Sequence, residues 1–138
     1  MLKKTITYVD YNGAERKEDH WFNLSKAELM ELEIGTTGGF TNTMERIIAA
    51  QDQATLSKIF KDFILKAYGV KSIDGRKFMK KDENGRPFAD DFVETEAYSE
   101  LYMELFQDEK AAAEFFMGII PADLASKVAE QNVLPASN

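Results

Sequence analysis

The stretch that most constrains this chain is Leu56 to Tyr68, Leu-Ser-Lys-Ile-Phe-Lys-Asp-Phe-Ile-Leu-Lys-Ala-Tyr. Leu56, Ile59, Phe60, Phe63, Ile64, Ala67 and Tyr68 recur at three- and four-residue spacing, which places them on one side of an α-helix. Lys58, Lys61, Asp62 and Lys66 fall largely on the other side, and Leu65 widens the apolar arc. A helix with so broad an apolar face predicts packing on more than one side, so the spacing casts it as the central element. Gly69 follows the last apolar residue, where a left-handed C-cap suits glycine.

At 138 residues the chain reads as one domain with room for a real hydrophobic core. It has no cysteine, which removes disulfides, thiolate metal sites and cysteine nucleophiles and suits a reducing compartment. No run approaches the ~20 apolar residues needed to cross a bilayer. The lysines of Met1-Leu2-Lys3-Lys4 have no long apolar stretch behind them, so no signal peptide is expected. The net charge of −7 is unevenly placed: residues 1–87 carry 15 basic and 13 acidic side chains, and residues 88–138 carry 2 and 11. An acidic C-terminal half repels phosphate backbones, which argues against nucleic acid as a partner.

Lys3 to Tyr11 alternates, with Leu2, Ile6 and Tyr8 pointing one way and Thr5, Thr7 and Val9 the other, as a strand does. Asn12-Gly13 is a hairpin turn signal because both positions tolerate positive φ, and Glu15 to Asn23 reads as the return strand. Ser25-Lys26-Ala27-Glu28 fits a capping box, with Leu24 and Leu29 as its hydrophobic staple. The helix it opens runs to about Ile34 with Leu29, Leu32 and Met30 inward, and Gly35 to Gly39 ends it. Thr41 or Asn42 caps a second helix through Met44, Ile47, Ile48 and Gln51. Thr55 is expected to cap the Leu56 helix. Asp74-Gly75 and Asn84-Gly85 mark turns in a locally basic, irregular segment from Val70 to Ala89, with a very short hairpin between Lys71 and Phe78; Phe88 and Phe92 tie its far end to the core. Thr95 caps a helix with Ala97, Tyr98, Leu101, Tyr102, Leu105 and Phe106 inward. Asp108 caps the next, carrying Ala111, Ala112, Phe115, Phe116 and Ile119, which Gly118 bends or ends. Pro121 suits the first turn of a last helix through Leu124 and Val128. The expected class is α+β: a mostly helical single domain over residues 1–131, with an antiparallel hairpin at 3–23, five to six helices over 25–131, and a flexible tail at 132–138.

Little in the chain suggests chemistry. His20 is the one histidine, so multi-histidine metal sites are ruled out, and beside Trp21 in a strand it reads as a boundary residue. Ser25 is accounted for by capping. If Gly85 is aligned with the invariant glycine of a calcium loop, Asp82 and Asn84 fall at ligand positions, but Lys80 occupies the first and Asp91 the last, so the loop is rejected. Pairs such as Asp90/Asp91 and Glu94/Glu96 show no sign of flanking a cleft, and no phosphate-cradling glycine motif appears. No catalytic residue, cofactor or metal is expected. What remains is apolar surface: ten phenylalanines and six methionines, with Phe115-Phe116-Met117 and Ile119-Ile120 supplying more than one helix face needs. Phe115, Phe116 and Ile120 are therefore the expected partner-binding residues.

The order of segments resembles a known family. A hairpin leads into Phe22-Asn23-Leu24-Ser25-Lys26-Ala27-Glu28-Leu29. Ile47-Ile48-Ala49-Ala50-Gln51-Asp52 and Ile59-Phe60-Lys61-Asp62-Phe63-Ile64 follow, with Tyr68-Gly69. Then come Ser72-Ile73-Asp74-Gly75-Arg76-Lys77-Phe78, Thr95-Glu96-Ala97-Tyr98 and Gly118-Ile119-Ile120-Pro121-Ala122-Asp123-Leu124. Together these resemble the small tail assembly chaperones of long-tailed bacteriophages and prophages. The resemblance implies a non-enzymatic protein of the bacterial host cytoplasm that binds the aggregation-prone tape-measure protein. It also implies help in recruiting major tail protein as the tube forms, self-association, and a longer frameshifted product in many members. It implies no ligand or catalytic residue. A structural tail-completion or connector protein retained in the virion is the alternative.

Overall fold

The computed structural model describes residues 1–40, 42, 46 and 49–121. Its described elements are β1 (Leu2–Val9), β2 (Glu15–Phe22), α1 (Lys26–Gly35), α2 (Gln53–Ala67), β3 (Tyr68–Lys71), β4 (Phe78–Met79), α3 (Phe88–Phe92), α4 (Glu96–Gln107) and α5 (Glu109–Ile119). The class is α+β, with the N-terminal antiparallel hairpin where the alternation places it. The expected helix through Met44, Ile47 and Ile48, the last helix through Leu124 and Val128, and the tail from 132 lie outside the described residues.

The hairpin turn is wider than a two-residue Asn-Gly turn. Val9 pairs with Glu15, leaving five residues from Asp10 to Ala14 in the loop. Only Gly13 there takes positive φ, at 82°. Asp10 organises the loop: its carboxylate accepts from the N–H groups of Asn12 and Ala14 and from Arg16 Nε.

Among the described residues the sheet has four strands rather than two, in the order β1-β2-β3-β4, each neighbour antiparallel. The short hairpin foreseen between Lys71 and Phe78 exists, and its first strand docks on β2 with Trp21 opposite Gly69 and Phe22 opposite Tyr68. Gly69 is therefore a strand residue and not a left-handed cap; α2 ends at Tyr68, whose backbone is extended. Glycine is required there for space. A Cβ would stand 2.5 Å from the Phe78 ring and 2.7 Å from the Met79 carbonyl oxygen.

One sheet face carries Ile6, Tyr8 and Phe22, all buried, and α4 and α5 pack on the β1 side of it. Phe22 is fully buried, with the rings of Tyr68, Phe92 and Phe115 at 5.6, 5.9 and 5.2 Å. Leu24, Ile64, Leu101 and Ile119 are equally enclosed, each worth ~1.5–3 kcal/mol of transfer free energy. The exit of β2 is stitched to two helix ends: Asn23 N–H donates to Ala67 O and Leu24 N–H to Ile119 O, both at 2.8 Å.

The Leu56 helix is peripheral along its first half, against the expectation that it is central. Only Phe63, Ile64 and Ala67 of α2 are buried; Leu56, Ile59 and Phe60 are half-buried. The middle of the core lies instead where β2 and Leu24 meet α4 and α5. Helix starts follow local chemistry. The Ser25–Glu28 capping box is complete, Thr95 accepts from Tyr98 N–H, and Asp108 accepts from Lys110 and Ala111 N–H. Thr55 does not cap α2. Asp52 does, accepting from the Thr55 N–H and hydroxyl, since it stands three residues earlier, at the position from which a cap reaches the first free N–H groups.

Candidate partner-binding surface

Most polar groups that could carry chemistry bind one another. His20 lies on β2 opposite Lys4 with its ring 5.8 Å from Tyr68 and 5.0 Å from Phe92, a boundary residue as its setting in the strand suggests; its Nε2 is buried with no hydrogen-bond partner. Burial pushes its pKa below the usual histidine value, against the pull of the Glu18 carboxylate 3.5 Å from Nε2. Glu18 in turn accepts from the Tyr8 hydroxyl at 2.7 Å, which leads the causes holding its pKa down. In the loop tested for calcium, Asp82 Oδ1 accepts from the Asn84 and Arg86 N–H groups, the geometry of a self-closed turn. Lys80 reaches away from it. Its Nζ donates to Asn23 O at 3.0 Å, Lys66 O at 2.6 Å and Glu28 Oε2 at 3.0 Å. It thereby ties the β2 exit, the α2 C-terminus and the α1 capping box together. Burial opposes the charge on Glu28, but the bonds from Ser25 and Lys80 outweigh it and its pKa is lowered. Among the described residues no three His, Asp or Glu side chains converge as a cation site, and no helix is long and apolar enough to cross a membrane.

The three residues singled out as a partner contact sit mostly inside. Phe115 is 5 % exposed and Ile120 2 %. Phe116 is half-buried in an aromatic trio with Phe40 and Phe63, ring centres 6.4 and 5.2 Å away. Adjacent residues on a helix point ~100° apart, and α5 uses this to serve two sides: Phe115 faces Phe22 and Phe116 faces α2. α5 ends one residue past Gly118, at Ile119; Leu2 packs against the space a Cβ would take at Gly118.

Apolar surface is exposed elsewhere. On α1, Met30 is 59 % and Ile34 76 % exposed, four residues apart and so on one face. Met30 therefore points outward, contrary to its expected place in the core; Leu29 and Leu32 supply the inward contacts. On α4, Met103 is 45 % and Phe106 36 % exposed, so Phe106 is not an inner-face residue either. It stacks on Tyr102 at 5.9 Å and 9°, and Tyr102 lies 6.0 Å from Tyr98. Tyr98 and Tyr102 form one bank of a groove of about 390 Å³ between α2 and α4, lined also by Ala54, Ser57, Lys58, Lys61, Ser99 and Met103. The Ser57 and Tyr102 hydroxyls are in contact. Sequence reasoning missed this groove because Lys58 and Lys61 read as a solvated face and Tyr98 and Tyr102 as core. The signal present was the juxtaposition of two aromatic turns with Met103, which a single inward stripe does not need.

Set against known proteins, residues 1–137 match the family model described as phage tail assembly chaperone. No curated protein and no solved structure matches the chain.

Proposed function

We propose, from the premise that the chain belongs to the phage tail assembly chaperone family, that it acts without catalysis by binding the tape-measure protein. On this reading it keeps that protein soluble in the bacterial host cytoplasm while major tail protein assembles around it, self-associates, and is left out of the finished tail. The observation that carries the reading is the pairing of family membership with apolar side chains left wet at helical spacing, Met30 with Ile34 and Met103 with Phe106. Such faces suit the stripe of a long helical partner, since an amphipathic helix is held by side chains laid into an apolar groove. Methionine adapts to irregular surfaces better than branched residues do. Of Phe115, Phe116 and Ile120, Phe116 has the surface to touch a partner, and the other two support the helix that presents it.

The test is co-expression of the tape-measure protein from the same phage with and without this chain. The expected result is a soluble complex of the two only when both are made, and finished particles that lack the chain. Tape-measure protein that aggregates equally in both cultures overturns the reading. Recovery of the chain in purified particles at fixed stoichiometry favours instead a retained tail-completion or connector protein.

A further inference from the structure

We propose that the groove between α2 and α4 holds an amphipathic helical segment of the tape-measure protein whose apolar stripe is flanked by carboxylates. This rests on the reading above and names the site and the chemistry of the segment. The chain as a whole is acidic, at −7, yet the charged residues lining this groove are Lys58 and Lys61, one turn apart on α2. Both are exposed, and neither is ion-paired to a described residue; the basic partners in the described ion pairs are Lys4, Arg16, His20, Lys80 and Arg86. A carboxylate arriving on that side gains two cations, in competition with Asp62 of α2, which is near enough to raise the Tyr98 pKa. Within the groove lining the cations lie on the α2 side alone, so the segment is oriented with its acidic edge toward α2.

The groove selects a helix over an extended strand. Its banks are two α-helices whose backbone groups are spent on their own hydrogen bonds, so it offers side chains and no ladder edge. From Tyr98 to Met103 the α4 bank of the groove runs ~7.5 Å, enough for about one and a half turns of a bound helix. Exposed Met103 gives its apolar stripe something to cover.

The experiment uses the full chain co-expressed with the tape-measure protein. The variant Lys58→Glu with Lys61→Glu is compared with Lys71→Glu with Lys77→Glu, which makes the same charge change on exposed residues of the β3–β4 hairpin. Wild type and variants are first matched by thermal melting, and a photo-crosslinking residue is placed at Met103. The groove variant is expected to hold tape-measure protein about tenfold more weakly, while the hairpin variant stays within about twofold and wild-type binding weakens with salt. The crosslink is expected on a predicted helix with Asp or Glu beside its apolar stripe. Equal losses in both variants, unchanged binding in the groove variant, or a crosslink to a second copy or to a segment without acids overturns the groove assignment and leaves the chaperone reading standing. Wild-type chain that holds no tape-measure protein at all sinks both.

Discussion

Gly69→Ala separates the need for space from the need for backbone freedom. Gly69 is absent from the residues with positive φ, so alanine suits its backbone, and by the unfolded-chain argument alone the change should stabilise by ~0.4–1 kcal/mol. The packing says the opposite. The new Cβ would meet Phe78 Cε2 at 2.5 Å and the Met79 carbonyl oxygen at 2.7 Å. The ring can swing, but the carbonyl belongs to β4, whose pairing with Val70 and Lys71 positions it. Relief requires β4 to shift or detach, and overpacking of this kind costs ~1–3 kcal/mol; a backbone obstacle places the value in the upper half, ~2–3 kcal/mol. For a chain of this size that lowers the melting temperature by about 6–15 °C. The control is Gly35→Ala at the last residue of α1, where a Cβ meets nothing within 4 Å and alanine should stabilise by ~0.5–1 kcal/mol. Urea titrations of the three proteins read the difference. A Gly69→Ala midpoint equal to or above that of Gly35→Ala would refute the close approach of β4 as the reason for glycine.

Two further outcomes follow from polar groups. Lys80→Met should cost ~2 kcal/mol in urea unfolding, because it strips the donor from Asn23 O, Lys66 O and Glu28 and leaves partly buried acceptors unmatched; Lys81→Met, on an exposed neighbour, should change stability by under ~0.5 kcal/mol. The folded-state pKa of His20 is lowered by burial, so the unfolded chain binds the proton more readily. The contribution of His20 is whole above the unfolded value of ~6.5 and is lost as pH falls through the lower folded value. Wild type should therefore lose stability as pH falls from above the unfolded value of ~6.5 through the lower folded one, and His20→Phe should flatten that slope; an unchanged slope would mean another group carries it.

The elements legible in the sequence are those fixed by interactions within a few residues. Ser25, Thr95 and Asp108 announce helix starts because a cap is satisfied by N–H groups two or three positions on, and β1 shows itself by strict alternation. The turn between the third and fourth strands was legible, but the docking of the third strand on β2 was not, because Tyr68-Gly69-Val70-Lys71 is too short to show a period and begins with the last residue of a helical stripe. Its strand character comes from Trp21 and Phe22, some 47 residues earlier in register. The same limit applied to Asp52 and Thr55: both residue types cap, and only the chain path decides which stands at the turn.

The apolar residues expose a different limit. Periodicity says which face of a helix is greasy but not how much of it a neighbour covers. Phe115 and Phe116 read as an excess, yet α5 is wedged between the sheet and α2 and both rings find partners, Phe22 on one side and Phe40 with Phe63 on the other. The excess is real but lies on α4, a helix of unremarkable stripe, whose inner face is completed by Ala97, Leu101 and Leu105. Met103 and Phe106 are then more exposed than the rest of that helix's apolar face, and Met103 lines the groove with Lys58 and Lys61. On the proposed reading the partner contact lies on the α2–α4 side of the molecule, and Phe115 and Ile120, 5 % and 2 % exposed, support the fold behind it.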